Sequence, residues 1–236
     1  SVLTTLTAGS YIFRVTDTQG CQAVSSEVMV TPQTTPTFTL VQTNVSCNGG
    51  SDGSIVITAA NGIAPYQYSI DNGVTYQASN VFTGLNAAGT YTVVVKDSKS
   101  CASATSPLTI TEPTVVGGTA TLTQGLTCGA GNATQGALVT ITGSGGTGFY
   151  EYSFDGGVNY SSTNTYSTNT AGMVTAYIKD TNGCISAVPA TVNVPALNPP
   201  TDLDFVSTAV TCLALTSDVT LTTTNGVGTL SYEILS

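Results

Sequence analysis

A chain that repeats itself must fold as a stack of similar modules, and this one repeats at about eighty residues. Residues 89 to 101 run from Gly89, Thr90 and Tyr91 through Val93, Val94 and Val95, break at Lys96 and Asp97, and stop at Cys101. An earlier copy has Gly9, Ser10, Tyr11, Ile12, Val15, Asp17 and Cys21. A later, drifted copy has Gly172, Val174, Ile178, Lys179, Asp180 and Cys184. The cysteines advance by 80 residues from Cys21 to Cys101, then by 83 to Cys184. Self-similarity of this period is the mark of an array of supersecondary units, and it takes precedence over any local feature.

The period divides the chain into four parts. Residues 1–35 are the C-terminal part of a cut unit, 36–113 and 114–195 are complete units, and 196–236 are the N-terminal part of another. The chain is therefore expected to be an excerpt of a longer protein. No apolar run approaches the eighteen or so residues of a membrane helix, and Ser1 begins no signal-peptide pattern.

Within 36–113 the pattern predicts seven short strands. They are Phe38 to Val45, Ser54 to Ala60 with Ile55 and Ile57 on one face, Pro65 to Ile70, Val74 to Gln77, Val81 to Leu85, Gly89 to Lys96, and Ala104 to Ile110. Polar turns such as Asn61-Gly62 and Asp71-Asn72-Gly73 separate them, the second with the Asn-Gly signature of a tight hairpin. Alternation without helical periodicity, and turn signals every eight to twelve residues, predict an all-β chain. Its units are expected to be tandem immunoglobulin-like or fibronectin-III-like antiparallel β-sandwiches. In such sandwiches a Tyr opening the sixth strand can hydrogen-bond back across the preceding turn. Tyr11 and Tyr91 stand where that tyrosine corner would be, although a plain half-buried strand tyrosine would read the same. The third copy has Val174 there, so its fifth-to-sixth turn is expected to pack differently.

Composition limits what such an array can do. Four basic residues against thirteen acidic ones give a net charge of −9, which leaves no basic stripe for phosphates, so nucleic acid is not expected as a partner. Charged residues are only 7% of the chain while hydrophobic ones are 41%, so the composition is not that of a disordered chain. With no histidine and with acids scattered one per turn, no catalytic constellation is legible and no enzyme is expected. Asp52, Asp71, Asp97 and Asp180 lie in turns, which raises calcium. No loop clusters enough carboxylates for six to eight oxygen ligands, so turn capping is preferred and neither metal nor other cofactor is expected. Tyr66, Tyr76 and Tyr160 could stack on sugars, which makes a carbohydrate-binding module the alternative function.

Four motifs in order carry a resemblance. They are Asn44 through Ile55 with Ser46-Cys47-Asn48-Gly49-Gly50, Ala64 through Ser69, Ala88 through Asp97 followed by Cys101, and Thr109 through Pro113. Over 36–113, and more loosely beyond, the chain resembles the SprB-type repeat of very large cell-surface adhesins of Bacteroidota, including the mobile adhesin of gliding motility. The resemblance implies export by type IX secretion and attachment at the outer membrane through segments absent from these residues. It also implies a structural stalk segment, a filament that extends a binding region from the cell and carries load. Implied partners are neighbouring repeats of the same chain, surface polysaccharide and the outer-membrane motility or secretion machinery, without membrane insertion. The third unit departs from the pattern at Val174 and at Thr127-Cys128-Gly129-Ala130-Gly131.

Six cysteines without close CxxC pairs favour disulfides in an oxidising compartment over a zinc site. Three pairings compete. The preferred one joins Cys47 with Cys101 and Cys128 with Cys184 inside units, leaving Cys21 and Cys212 unpaired in this fragment. The second joins sequence neighbours. The third staples the first-strand cysteine of one unit to the sixth-strand cysteine of the next, here Cys47 to Cys184. A strict seven-strand sandwich places the two cysteines of a unit at opposite poles. Merging the weak fourth and fifth strands would bring them together, so strand count decides among the schemes.

Overall fold

The computed structural model describes residues 3–87, 89–212 and 216–234. It separates into two compact units, Ser1–Glu112 and Pro113–Ser236. In the first, the leading residues form β1 (Gly9–Tyr11), β2 (Arg14–Thr16), β3 (Gln22–Val24) and β4 (Val28–Val30). Here β1 pairs with β4, and β2 with β3. A complete sandwich follows, with β5 (Thr37–Thr43), β6 (Gly53–Ala60), β7 (Gln67–Ser69), β8 (Val81–Leu85), β9 (Thr90–Lys96) and β10 (Ser106–Thr109). One sheet has the order β5-β6-β8 and the other β10-β9-β7, every pairing between strands being antiparallel. This is an immunoglobulin-like, fibronectin-III-like β-sandwich. Pro107 lies in β10, an edge strand, where a missing N–H donor can be tolerated.

Alternation along the strands fills the core. Ile55 and Ile57 of β6 face Val93 and Val95 of β9, and all four are fully buried, with Val45, Leu85 and Ile110 closing the cluster. Each such side chain contributes about 1.5–3 kcal/mol by leaving water. Gly53 is where three strands come too close for a side chain. A Cβ there would lie 2.8 Å from the Leu85 carbonyl oxygen and 3.0 Å from Ile110.

Six strands form rather than the seven expected, because Val74 to Gln77 makes only a single bridge, Tyr68 to Gln77. Asp71 captures the Thr75 N–H inside the hairpin, and the chain then crosses to the other sheet. At that crossing the Asn80 carbonyl accepts from the Ile57 N–H at 2.9 Å, and the Asn80 side chain donates back to the Ile57 carbonyl. The crossing keeps the two poles of the sandwich distinct. One pole holds Cys47, Gly53 and Leu85, and the other holds Asn61, Gly62 and Asp97.

The second unit repeats the plan. Its elements are β11 (Gly117–Gln124), β12 (Thr127–Cys128), β13 (Thr134–Gln135), β14 (Ala137–Ser144), β15 (Tyr150–Ser153), β16 (Thr165–Thr168), β17 (Gly172–Asp180) and β18 (Ala190–Val194). The sheets are β11-β14-β16 and β15-β17-β18. Val139, Ile141, Ala176 and Ile178 occupy the four central core places, all fully buried. Val174, opposite Tyr91 in the repeat, is buried in this cluster and pairs with Val192. The drifted Gly129 to Gly131 turn folds as a short 3-10 turn flanked by the β12–β13 pair. After the sandwich, β19 (Thr201–Ser207) and β20 (Val219–Thr224) form a two-stranded hairpin.

Candidate functional site

The opening motif is a turn tied by one carboxylate. Asp97 Oδ1 accepts the N–H groups of Lys99 and Cys101, each at 2.9 Å. Its Oδ2 accepts the Ile63 N–H at 3.1 Å and the Gln33 side-chain amide at 3.0 Å. The side chain is only 2% exposed. Burial works to raise its pKa, but the N–H groups of Cys101, Ile63 and Lys99 together with Gln33 hold the carboxyl below its ordinary value. Asp180 repeats this with the N–H groups of Asn182, Cys184 and Thr147, and Asp17 with those of Gln19 and Cys21. One residue type thus joins the turn after the sixth-strand position to the turn after the second.

The same pole receives the incoming chain. Gly62 donates its N–H to the Thr34 hydroxyl, and its φ of +67° with Asp97 and Pro36 alongside suits glycine alone. In the second sandwich the Gly146 N–H donates to the Thr114 carbonyl at 2.9 Å. At the opposite pole of the first sandwich the departing chain is held too. The Gly49 N–H donates to Glu112 at 2.6 Å, the Val45 N–H to the Thr111 carbonyl at 3.0 Å, and the Thr111 N–H to Asn44 at 3.1 Å. Asp52 is taken up in this turn by Ser46, whose hydroxyl and N–H lower its pKa.

A hairpin motif recurs as well. The Ser69 hydroxyl donates to Asp71 at 2.6 Å, and with Thr75 it holds that carboxyl down at about 2. Ser153, Asp155 and Asn159 reproduce the arrangement, with Asp155 again well below the usual carboxylate range because of Ser153 and then Asn159. Beside each hairpin a lysine ammonium lies over a tyrosine ring, Lys96 over Tyr76 at 4.1 Å and Lys179 over Tyr160 at 4.5 Å. Lys179 also pairs with Glu151 at 2.7 Å. These contacts bear on the sugar-stacking idea, because the faces offered by Tyr76 and Tyr160 carry lysines. Tyr66 packs against the core and donates its hydroxyl to the Asn61 carbonyl. The carboxylates considered for calcium are taken up by donors of their own turns and, for Asp97 and Asp180, of the facing turn as well. Among the described residues no three metal-ligating side chains cluster.

Tyr91 donates to the Asn86 carbonyl at 3.1 Å, five residues back, and Tyr11 to the Thr7 carbonyl at 2.7 Å. Sequence reading missed a second set of such bonds. Tyr66 to Asn61 and Tyr150 to Gly145 cross the preceding turn at 2.6 Å each. The signal was available as the same five-residue spacing from a turn residue to a Tyr.

The cysteines correct the preferred pairing. Cys47 and Cys184 are disulfide-bonded, whereas Cys21, Cys101, Cys128 and Cys212 carry free thiols. Neither Cys47 with Cys101 nor Cys128 with Cys184 is formed. The sequence-neighbour pairs fail as well, since each contains a free thiol. The physical reason is the pole argument. Cys101 N–H is bound to Asp97, which holds Ile63 at one pole, while Cys47 lies beyond β5 at the other. In the second sandwich Cys184 is bound to Asp180 beside Thr147, while Cys128 pairs with Thr134 ahead of β14.

Residues 39–75, from within β5 to the Asp71 hairpin, match the SprB repeat family, consistent with a SprB-type repeat. Among solved structures, fibronectin(III)-like modules of Clostridium thermocellum CbhA are 17% identical. That match covers 61% of this chain and 84% of theirs with a TM-score of 0.29. Extracellular domains 3–5 of Drosophila OTK are 14% identical, covering 79% of this chain and 69% of theirs with a TM-score of 0.26. No curated protein sequence matches the chain significantly.

Proposed function

We propose that these residues are a load-bearing stalk segment of a large repetitive cell-surface adhesin, similar to the mobile adhesin of gliding motility. Its implied setting is type IX export by a Bacteroidota cell and outer-membrane attachment through other parts of the protein. The SprB-type repeat points to a cell-surface protein, and no helix among the described residues is long and apolar enough to cross a membrane. The observation that carries the stalk reading is the tethering of the chain at both poles of the first sandwich. Gln33 and Thr34 are bound where the chain enters, and Thr111 and Glu112 where it leaves. A segment bound at both poles passes tension into the sheets instead of hinging freely. Strands of about eight residues at about 3.3 Å each, plus turns, give roughly 35–40 Å per repeat. Small-angle scattering should give a maximum dimension that grows by that increment with each added repeat. A dimension that stays nearly constant would sink the reading.

A staple from the first-strand cysteine of one repeat, Cys47, to the sixth-strand cysteine of the next, Cys184, would fit this role, each being a disulfide-bonded cysteine. A bridge of this kind contributes about 2–4 kcal/mol. Peptide mapping without reductant should recover the two in one cross-linked peptide, and Cys47 linked to Cys101 would refute it. Neighbouring repeats are the expected partners of the segment. Surface polysaccharide or outer-membrane machinery would engage the longer protein. Specific glycan-array binding by these residues would favour the carbohydrate-binding module instead.

A further inference from the structure

We propose that the second sandwich binds a small phenol in a cavity whose counterpart the first sandwich fills with its own side chains. The site lies within one sandwich and is independent of the stalk reading. The interval from Leu85 to Tyr91, which leads from β8 into β9, equals that from Thr168 to Val174, which leads from β16 into β17. Thr168 opposes Ala137 as Leu85 opposes Gly53, and Val174 pairs with Val192 as Tyr91 pairs with Leu108. In the first sandwich Leu85 is buried and Tyr91 packs against the core. Two large side chains are thus exchanged for two small ones at either end of a loop that has not shortened. Removing side-chain volume from a packed interior leaves a void unless the backbone collapses into it.

The void is present. A cavity of about 250 Å³ opens at this turn, lined in part by Phe154, Tyr166, Thr168, Thr170, Met173 and Val174. Tyr166 opposes Val139 as Phe82 opposes Ile55, and Phe154 follows Ser153 as Ile70 follows Ser69. The two rings stack with centroids 5.0 Å apart, so they build one aromatic wall and leave the space beside it open. Among the described residues none that lines the cavity is charged, which suits a neutral ligand, since an ion buried there would find no partner. A cavity of about 150 Å³ already takes benzene, so this one has room for a ring with substituents.

The first sandwich identifies the ring. There the place of Val174 is held by a phenol, Tyr91, whose hydroxyl donates to the Asn86 carbonyl at 3.1 Å. The counterpart of Asn86 is Asn169, set between the two lining threonines Thr168 and Thr170. A free phenol restores both missing parts. Its ring lies against the Phe154–Tyr166 wall, and its hydroxyl donates to the Asn169 carbonyl as Tyr91 does to Asn86. Met173, an exposed and flexible thioether, borders the opening and can close over the ring edge. The ligand class is a neutral phenol with a small substituent opposite the hydroxyl.

The test is to titrate the 236-residue chain with p-cresol and, separately, with toluene while following backbone amide shifts by NMR. The expected result is saturable shifts at Phe154 and from Thr168 to Val174, with none from Leu85 to Tyr91. Toluene, which lacks the hydroxyl, should bind about two- to tenfold more weakly, the fold-change of one hydrogen bond. Val174→Tyr should install the ring permanently, abolish p-cresol binding and raise the melting temperature of the second sandwich. If that variant does not fold, Thr168→Leu fills the cavity from the other strand and should abolish binding likewise. Absence of saturable shifts up to the solubility of p-cresol overturns the proposal. So do shifts of equal size around Tyr91, toluene bound as tightly as p-cresol, or binding that survives in a folded, filled variant.

Discussion

The two complete sandwiches agree where a carboxylate ties turns together and differ where a tyrosine would. Asp97 and Asp180 each organise the turn before a cysteine and reach across to the turn after the second strand of the sandwich. The Ser69–Asp71 and Ser153–Asp155 hairpins and the two lysine-on-tyrosine contacts are likewise shared. The tyrosine bond to Asn86 exists in the first sandwich alone, and Val174 replaces it with apolar burial in the second. The lesson is one of substitutability. A turn with several N–H groups facing inward needs an acceptor, whereas one hydrogen bond at a strand start can give way to packing.

Four experiments would break or sharpen that comparison. The largest effect is expected in the cores. Ile57→Ala and Ile141→Ala occupy equivalent, fully buried places and should each cost about 2–5 kcal/mol, read as the loss of one melting transition's stability with the other unchanged. A markedly unequal pair would show that the repeats do not share one core plan.

Next come the carboxylates. Asp97→Ala strands four donors and Asp180→Ala three, so both should lower thermal stability clearly, with Asp97→Ala the larger loss. Acid should mimic them. Asp97 and Asp71 have folded pKa values below the unfolded value, so their stabilisation is present above about pH 4 and lost as pH falls through the folded values, for Asp71 about 2. Denaturation midpoints at pH 7, 4 and 2.5 measure this, and Asp71→Asn should flatten the dependence. A flat profile in the unsubstituted chain would contradict the assignment.

Tyr91→Phe should cost about 0.5–1.5 kcal/mol in the first sandwich and have no counterpart in the second. Smallest of all, Lys96→Met should cost about 0.5–1 kcal/mol. Lys179→Met should cost slightly more, because Glu151 also loses a partner. Urea midpoints of the three variants would rank them.

Much of this was legible in the sequence because strand alternation and turn residues are local. Ile55, Ile57, Val93 and Val95 alternate in print as they do in the core, and Asp97 followed by Cys101 marks the same turn three times. What was not legible depended on long-range geometry. The Val74 to Gln77 segment alternates like a strand, but the Asp71 turn and the Asn80 crossing leave it one bridge. The preferred disulfide pairing needed the fourth and fifth strands to merge; six strands do form, but the Asn80 crossing still keeps the poles apart, and Cys101 and Cys128 carry free thiols. Lysines over tyrosines were equally hidden, since Tyr76 and Lys96 are twenty residues apart and meet only through the hairpin beside β9.

The scarcity of basic residues, and where they lie, bears on survival outside a cell. A protease that cuts after lysine or arginine finds four sites in 236 residues: Arg14, Lys96, Lys99 and Lys179. Lys96 and Lys179 sit in central strands, paired on both sides and capped over aromatic rings. Such enzymes need several residues of freely extended backbone, which a paired central strand does not offer. Lys99 follows Asp97 in a turn whose backbone N–H groups are already held by that carboxylate. The contacts that fasten the two hairpins therefore also shield Lys96 and Lys179 from digestion, leaving Arg14, in the exposed strand β2, as the most accessible basic site.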